Sequence, residues 1–370
     1  MARGAQRSSL APGASGAARR PPSRVRILLV SQMYPGPADP DLGAFVAQVE
    51  RELGAQGHLV ERAVIDRRGG RPTKYARLLF DALRAGRSFR PDVVFGHFLV
   101  PAGAVAVAVA AVRRVPVVLM AHGRDVRNVG EIPGVGLLTR LATARAATVI
   151  ANSEYLRAEL LDRLPALADR LEVIDCGVDL ERFSGRDGAA ARARLGWDGS
   201  APRFLFVGGL DERKNVVRLV EAFRSLGRGS LVLVGDGPAR AGLEGVPGTT
   251  LVGRIPHDQV ADWITACDVL CLPSTVEPLG QVVLEAMASE RSVVATRVGG
   301  PPELVPPEAG VLVDPGSTED ITAGMASAAA LPSPNPAARR AAAEHDVRRQ
   351  AGRMAEVLER VIASPAISRR

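Results

Sequence analysis

The sequence predicts an α/β protein of two Rossmann-like domains facing a central cleft, and three observations predict it. The chain has 370 residues, too many for one ordinary domain and suited to two of roughly 150 to 180 residues each. Its composition, 46% hydrophobic and 24% charged with 38 glycines, fits large buried cores rather than a disordered chain. Short β-branched and leucine runs alternate with amphipathic helical stretches, and the series runs twice. That alternation is the pattern of parallel sheets covered by helices.

The first strand is the apolar run 26–31, which ends at the turn-rich segment Tyr34-Pro-Gly-Pro. Between Gly43 and Gly57, apolar residues Phe45, Val46, Val49 and Leu53 recur at helical spacing, and Gly57 closes the helix before a strand over 58–64. Strands follow over 92–96, 115–121 and 147–151, with helices over 101–113, 134–145 and 153–164. Residues 104–111 alternate Ala and Val as a strand does, but Pro101 at the start and the need for a crossover favour a helix. The charged, Ala- and Gly-rich stretch 184–200 reads as the approach to an interdomain linker. The second series has strands over 203–208, 230–235, 250–253, 269–272 and 292–296, with helices over 215–226, 258–266 and 280–289. A Pro-rich segment, 332–340, precedes an amphipathic helix over 347–362. The expected organisation is a tail over 1–24, domains over 25–185 and 186–345, and a final helical segment over 346–370 placed to pack back on the first domain.

The net charge of +7 is concentrated at one end. Arg3, Arg7, Arg19, Arg20, Arg24 and Arg26 lie in the first 26 residues, where no acid occurs, leaving +1 for the remainder. The tail lacks the apolar stretch of a signal peptide and reads as disordered, either simply solvated or drawn to an anionic membrane surface. With so small a charge and no basic stripe expected in the folded part, nucleic acid is not an expected partner. Cys176, Cys267 and Cys271 are odd in number and lack metal spacing, so they read as buried thiols in a reducing cytoplasm. The most apolar stretch, 93–112, is interrupted by His97, Pro101 and Gly103, and reads as strand, loop and buried helix rather than a membrane span. The expected location is cytoplasmic, with a peripheral place at the inner face of the cell membrane left open.

The strongest chemical signal is Pro273-Ser-Thr-Val-Glu277-Pro-Leu-Gly280-Gln-Val-Val-Leu-Glu285-Ala-Met, which joins an apolar strand to a helix starting near Gly280. A helix start offers free N–H groups and partial positive charge to a diphosphate. The two carboxylates can accept hydrogen bonds from hydroxyls, one from a sugar and the other from a ribose. Lys214 is one of only two lysines, with Lys74, among 47 basic residues. A compact ammonium suits a crowded phosphate oxygen where a guanidinium fork does not fit. His122 ends the strand 115–121, a position that faces a cleft. His97 also follows a strand and either assists an acceptor or is a structural histidine; Asp125 is placed to orient His122 or its loop.

These residues resemble the GT-B retaining glycosyltransferases of family 4, whose signature is Glu-x7-Glu, then Ala-Met, and later Gly-Gly-x-x-Glu. Here those are Glu277, Glu285, Ala286-Met287 and Gly299-Gly300-Pro-Pro-Glu303. Other family-like pieces are His122-Gly-Arg-Asp125, Cys176-Gly-Val-Asp179 and Val234-Gly-Asp-Gly-Pro238, and the resemblance extends over nearly all of 25–315. It implies a GT-B fold with an acceptor domain first and a nucleotide-sugar donor domain second. It also implies hexosyl transfer with retention, no cofactor and no catalytic metal. By resemblance His122, Lys214 and Glu277 are catalytic, and His97 and Asp125 lie on the acceptor side. The expected donor contacts are Gly43, Gly209, Arg213, Lys214, Arg254, Ile255, Glu277, Leu279, Gly280, Gln281, Val282 and Glu285.

Two departures stand out. The family motif Gly-Arg-Leu-x-x-x-Lys reads Gly208-Gly209-Leu210-Asp-Glu-Arg213-Lys214 here, so a phosphate-binding Arg is replaced by Gly209, with Arg213 as a candidate substitute. Glu290-Arg-Ser292 replaces the usual Gly-x-Pro, an altered turn. Asp39-Pro-Asp41 spells the Asp-x-Asp of metal-dependent transferases but sits in a proline loop of the other half. The impression is of bacterial teichuronic-acid-type or exopolysaccharide transferases, which implies a glycan or lipid-linked acceptor. A non-catalytic binding subunit of the same fold, or a sugar-nucleotide epimerase or glycosyl phosphorylase, are the alternatives. Neither the sugar, the base nor the oligomeric state is legible.

Overall fold

Each apolar run becomes a short strand because both of its faces are covered, and the two series build two separate parallel sheets. The computed structural model describes residues 24–364; residues 1–23 of the expected tail over 1–24, and residues 365–370, lie outside the described residues.

The first half runs β1 (Arg26–Ser31), α1 (Ala44–Ala55), β2 (Leu59–Val64), α2 (Thr73–Phe89), β3 (Val93–His97) and α3 (Ala102–Arg113). It continues with β4 (Val117–Ala121), α4 (Arg124–Glu131), α5 (Val135–Arg145), β5 (Thr148–Ala151), α6 (Glu154–Arg163) and β6 (Leu171–Val173). Strand order is β2-β1-β3-β4-β5-β6, all parallel. Alternate residues of each strand serve opposite layers. Leu28, Val94, Leu119 and Val149 pack with α2, α3, α5 and α6, whereas Ile27, Phe95, Val118 and Ile150 face α1. The alternating Ala and Val of 104–111 are helical, as the crossover requires.

The second half runs α7 (Gly188–Leu195), β7 (Arg203–Val207), α8 (Val216–Leu226), β8 (Ser230–Val234), α9 (Arg240–Leu243), β9 (Thr249–Gly253) and α10 (His257–Ala266). Then come β10 (Val269–Leu272), α11 (Gln281–Ala288), β11 (Ser292–Thr296), α12 (Pro301–Leu304), β12 (Gly310–Val313), α13 (Thr318–Ala328), α14 (Pro336–Ala343) and α15 (Val347–Ala363). The order β12-β11-β10-β7-β8-β9 is again all parallel. Order reverses between β1 and β3 in the first sheet and between β7 and β10 in the second. Such switch points leave a crevice outside the strand carboxyl ends where ligands bind.

Helix α15 returns to the first domain, setting Met354, Val357 and Leu358 against Val49, Leu53 and Ile27. The chain crosses between domains twice at one place. There Val178 N donates to His345 O (2.8 Å), and Val347 N donates to Val178 O (3.1 Å).

The linker reading of 184–200 is overturned. The crossing lies earlier, around Val178, and 188–195 is helix α7, capped by Asp187 and packed on α10. Its apolar content is nearly all alanine, so no helical stripe showed in the sequence. Helix α2 went unread for a related reason: it buries Leu78, Ala82 and Gly86 while Leu79 and Phe80 stay exposed. The Pro-rich 332–340 contains the start of α14, because Pro336 at the first turn needs no N–H partner and the Asn335 side chain accepts from Ala337 N and Ala338 N.

Candidate functional site

The loops leaving β7 and β10 meet at the second switch point, and their contact is an ion pair. Lys214 Nζ lies 2.6 Å from Glu277 Oε2, with both side chains mostly buried. Each partner is fixed locally. Asp211 caps the turn by accepting from Lys214 N (2.9 Å). Asn215, in a left-handed conformation, donates to Pro273 O (3.0 Å) and Pro315 O (2.7 Å), tying one loop to the other. Ser274 Oγ donates to the same Glu277 oxygen (3.2 Å). Burial alone pushes the Glu277 carboxyl up, but the Lys214 ammonium and then Arg213 outweigh it and hold it below the usual carboxylate range.

The Gly299-Gly300 pair explains itself here. The chain at Glu277 bridges to Gly299, with Glu277 N donating to Val298 O (3.1 Å) and Gly300 N to Glu277 O (2.8 Å). Gly299 has φ +114°, and a Cβ there would stand 2.0 Å from Glu277 O, so only glycine lets the two loops approach. Beyond them Gly280 opens α11, and Glu285 lies one turn in, buried, with Oε1 3.2 Å from His257 Nε2.

A cavity of about 520 Å³ opens between the two domains; Gly208, Gly209 and Asp211 of the Lys214 loop line it, whereas Lys214 and Glu277 themselves do not. The second domain contributes Gly209, Arg254, Ile255, Gln281, Val282 and Glu285 from the expected donor set. The first contributes Asp41, Arg68 and the first turns of α1: Ala44, Phe45 and Gln48. Gly43 caps that helix. Leu279 is buried between the Glu277 loop and the helix start. Arg213 does not line the cavity and points toward Asp211 at 4.0 Å; the guanidinium groups in its wall are Arg68 and Arg254.

Across the cleft the strands β3 and β4 end in His97 and His122. His97 Nδ1 and His122 Nε2 lie 3.1 Å apart in a hydrogen bond, and the His122 ring packs on Phe45 of the cavity wall, centroids 4.8 Å apart. Burial pushes His97 down to about 3, and burial with the neighbouring His97 pushes His122 well below its usual value. The acceptor contacts expected of His97 and Asp125 are not offered by their side chains. His97 has no exposed surface, and the Asp125 carboxylate is spent on the N–H groups of Leu99, His122 and Gly123. Both stand behind His122 and hold it.

Asp39 and Asp41 share the Arg68 guanidinium, at 2.8 Å and 2.6 Å, and Asp39 also meets Arg254 across the cleft at 3.4 Å. Sequence reasoning missed Phe45, Gln48, Arg68 and His257. Gln48 carried a usable signal: a polar residue inside an apolar helical stripe, it is buried. His257, the first residue of α10, and Arg68, in the loop after β2, are brought together only by the folded cleft.

Two family models match the chain: Glycosyltransferase Family 4 over residues 16–182 and Glycosyl transferases group 1 over residues 201–330. The chain is 33% identical over 239 residues to the putative teichuronic acid biosynthesis glycosyltransferase TuaC of Bacillus subtilis, covering 64% of this chain and 60% of that one. It is 34% identical over 251 residues to a D-inositol 3-phosphate glycosyltransferase of Frankia alni, covering 60% and 61%. The chain thus spans about 60% of the length of these relatives. Among solved structures it is similar to sucrose-phosphate synthase from Thermosynechococcus elongatus (TM-score 0.74, 22% identity, covering 92% of this chain and 100% of that one). It is also similar to HepE of Anabaena in complex with UDP and glucose (TM-score 0.69, 21% identity, covering 91% and 100%). Both likenesses are of fold.

Proposed function

The chain belongs to the family 4, group 1 glycosyltransferases of GT-B fold, and from that membership we propose that it moves a sugar from a nucleotide-diphosphate sugar to a hydroxyl acceptor. The anomeric configuration is retained, no metal is needed, and the acceptor is a glycan or lipid-linked intermediate of cell-envelope or exopolysaccharide assembly. The name of one relative, a putative teichuronic acid biosynthesis glycosyltransferase, supports the glycan reading, and the UDP and glucose held in a HepE structure of similar fold support the nucleotide-sugar donor.

The observation that carries the proposal is the Lys214–Glu277 pair just before the start of α11, on loops whose neighbouring residues Gly209, Asp211 and Gln281 line an interdomain cavity. A departing diphosphate gains negative charge as the glycosidic bond breaks. Lys214 and the N–H groups at the helix start are placed to offset it, in a site where preformed donors need no reorganisation. As Lys214 turns to phosphate, Glu277 is left to accept from a sugar hydroxyl, while Glu285 accepts from the ribose. The acceptor hydroxyl attacks on the face the diphosphate leaves, next to His122. No side chain in the described cleft is assigned as a covalent nucleophile, so the double displacement of retaining glycosidases is not invoked.

The replacement of the family Arg by Gly209 favours one competing reading, a subunit that binds donor without turnover. A thermal-shift screen of UDP- and GDP-sugars addresses binding first: a true donor at 100 times its Kd adds about 2.7 kcal/mol. Turnover with a panel of glycan and lipid-linked acceptors then separates the readings, and the product anomer by NMR decides stereochemistry. An inverted product, or binding with no transfer to any acceptor, overturns the proposal.

A further inference from the structure

The +1 left after the first 26 residues is the sum of two opposed parts. Residues 67–145 hold 14 Arg and Lys against four Asp and Glu, a net +10, so the other residues after Arg26 are net acidic. The expectation of no basic stripe is therefore wrong. Of those 14 cations, only Arg68 and Arg77 have a salt-bridge partner among the described residues. The segment is mostly helices α2, α3, α4 and α5. Of these α2, α3 and α5 lie side by side as the outer layer on one face of the first sheet.

The same layer carries six of the nine large apolar side chains that stand exposed among the described residues: Leu79, Phe80, Val112, Leu137, Leu138 and Leu141. Helix α5 is inverted with respect to an ordinary amphipathic helix: it buries Thr139, Ala142 and Thr143 and presents Leu137, Leu138 and Leu141 to solvent, 65%, 48% and 57% exposed. Arg140 and Arg145 flank those leucines on the exposed side. On α2, Arg77, Phe80, Arg84 and Arg87 follow one another at helical spacing along the outer side, all exposed. Its C-terminal end forms an open concavity lined by Arg26, Arg84, Arg87, Arg90 and Ser88.

We propose that the α2–α3–α5 face of the first domain docks on an anionic lipid surface, its leucines and Phe80 entering the interface and its arginines engaging headgroup phosphates. Apolar anchors ringed by arginine are the composition that binds such interfaces. A second copy of this chain would set net +10 against net +10, and a nucleic acid would engage the arginines but leave the leucines in water. No helix among the described residues is long and apolar enough to cross a membrane, so the contact is peripheral. Helix α4, which packs against α5, begins two residues after His122, so the docked layer adjoins the first-domain wall of the cleft through α4. The inference stands apart from the transferase proposal, since its test reads binding alone.

The test is flotation of the full chain with phosphatidylcholine vesicles, with and without about 30% phosphatidylglycerol, whose anionic surface potential attracts clustered basic residues. Binding is expected only with the anionic lipid and should fall with rising salt. The triple variant Leu137→Ser, Leu138→Ser, Leu141→Ser should bind at least tenfold more weakly with unchanged melting, as all three residues are exposed. Arg84→Glu with Arg87→Glu should do the same. A full chain with Arg3, Arg7, Arg19, Arg20 and Arg24 changed to Gln should bind within threefold of the parent. Binding lost in that tail variant and kept in both face variants overturns the proposal. So does equal binding of all variants, or duplex DNA that the leucine variant binds as tightly as the parent binds vesicles.

Discussion

Lys214 and Glu277 neutralise one another at 2.6 Å, so each has a structural and a chemical load that mutation can separate. Lys214→Ala leaves the Glu277 carboxylate buried without its cation, which should lower stability by about 1–3 kcal/mol. The double variant Lys214→Ala, Glu277→Gln should recover most of that stability and none of the turnover. On chemistry, Lys214→Ala should cut kcat roughly 100-fold to 1000-fold, the cost of losing one transition-state donor, with a smaller change in donor affinity. Lys214→Arg should rescue poorly, because the cap at Asp211 and the tie through Asn215 fix the stem for a compact head. Glu285→Ala removes a contact made equally in ground and transition states and should mainly raise KM for the donor. Near-wild-type kinetics in both Lys214→Ala and Glu277→Gln would sink the site assignment.

Strands β3 and β4 end side by side, and their terminal histidines give the first domain a pH-dependent stability. His97, with no exposed surface, is held neutral down to about 3, against an ordinary value near ~6.5. Below that ordinary value the unfolded chain takes up protons the folded one refuses. The stability is therefore complete above pH ~6.5 and drains as pH falls toward the folded value. Denaturant unfolding between pH 5 and 6.5, read by a first-domain probe, should show it. His97→Phe should flatten the slope by about 1 kcal/mol per pH unit. An unchanged slope in that variant would place the proton uptake elsewhere, His58 included, whose burial also lowers it.

Four contacts across the cleft hold the two domains together in the form described. Ser153 Oγ donates to Pro278 O (2.6 Å), Gln281 Nε2 to Gly177 O (2.7 Å), and Asp39 meets Arg254 (3.4 Å). The Glu303 carboxylate accepts from Glu154 N and Tyr155 N at 2.8 Å each, capping the first turn of α6 from the other domain. At the tightest point Gly123, φ +116°, faces Pro278, and a Cβ there would stand 2.3 Å from the proline ring. Gly123→Ala should therefore lower stability by about 1–3 kcal/mol through backbone strain at the positive φ, and in addition disfavour this closed arrangement. Small-angle scattering should report a larger radius of gyration with donor present, and kcat should fall at least about tenfold, a closing penalty of ~1.4 kcal/mol. Unchanged scattering together with unchanged kcat would show that closure does not limit the reaction.

The strand and helix periods, the Glu277-to-Glu285 spacing and the scarce lysine are local properties, carried by residues within a turn or two of one another, and the sequence by itself determined them. The two parallel sheets followed, because apolar runs of five residues with crossover helices have few other ways to cover both faces. Short alanine-built helices such as α7, and α2 with its exposed leucine and phenylalanine, were illegible because burial there depends on what the sheet presents and not on the helix's own pattern. The cleft itself was decided by tertiary structure: Arg68, His257 and Phe45 line it from three separate loops and helices. The orienting role of Asp125 behind His122 was one of the readings the sequence allowed; which of its two readings His97 takes was out of reach, since a residue at a strand end faces the cleft or the core according to how the next strand's loop folds over it. The basic face needed both kinds of information, for the sequence supplied the charge, and only the fold showed which leucines were left outside.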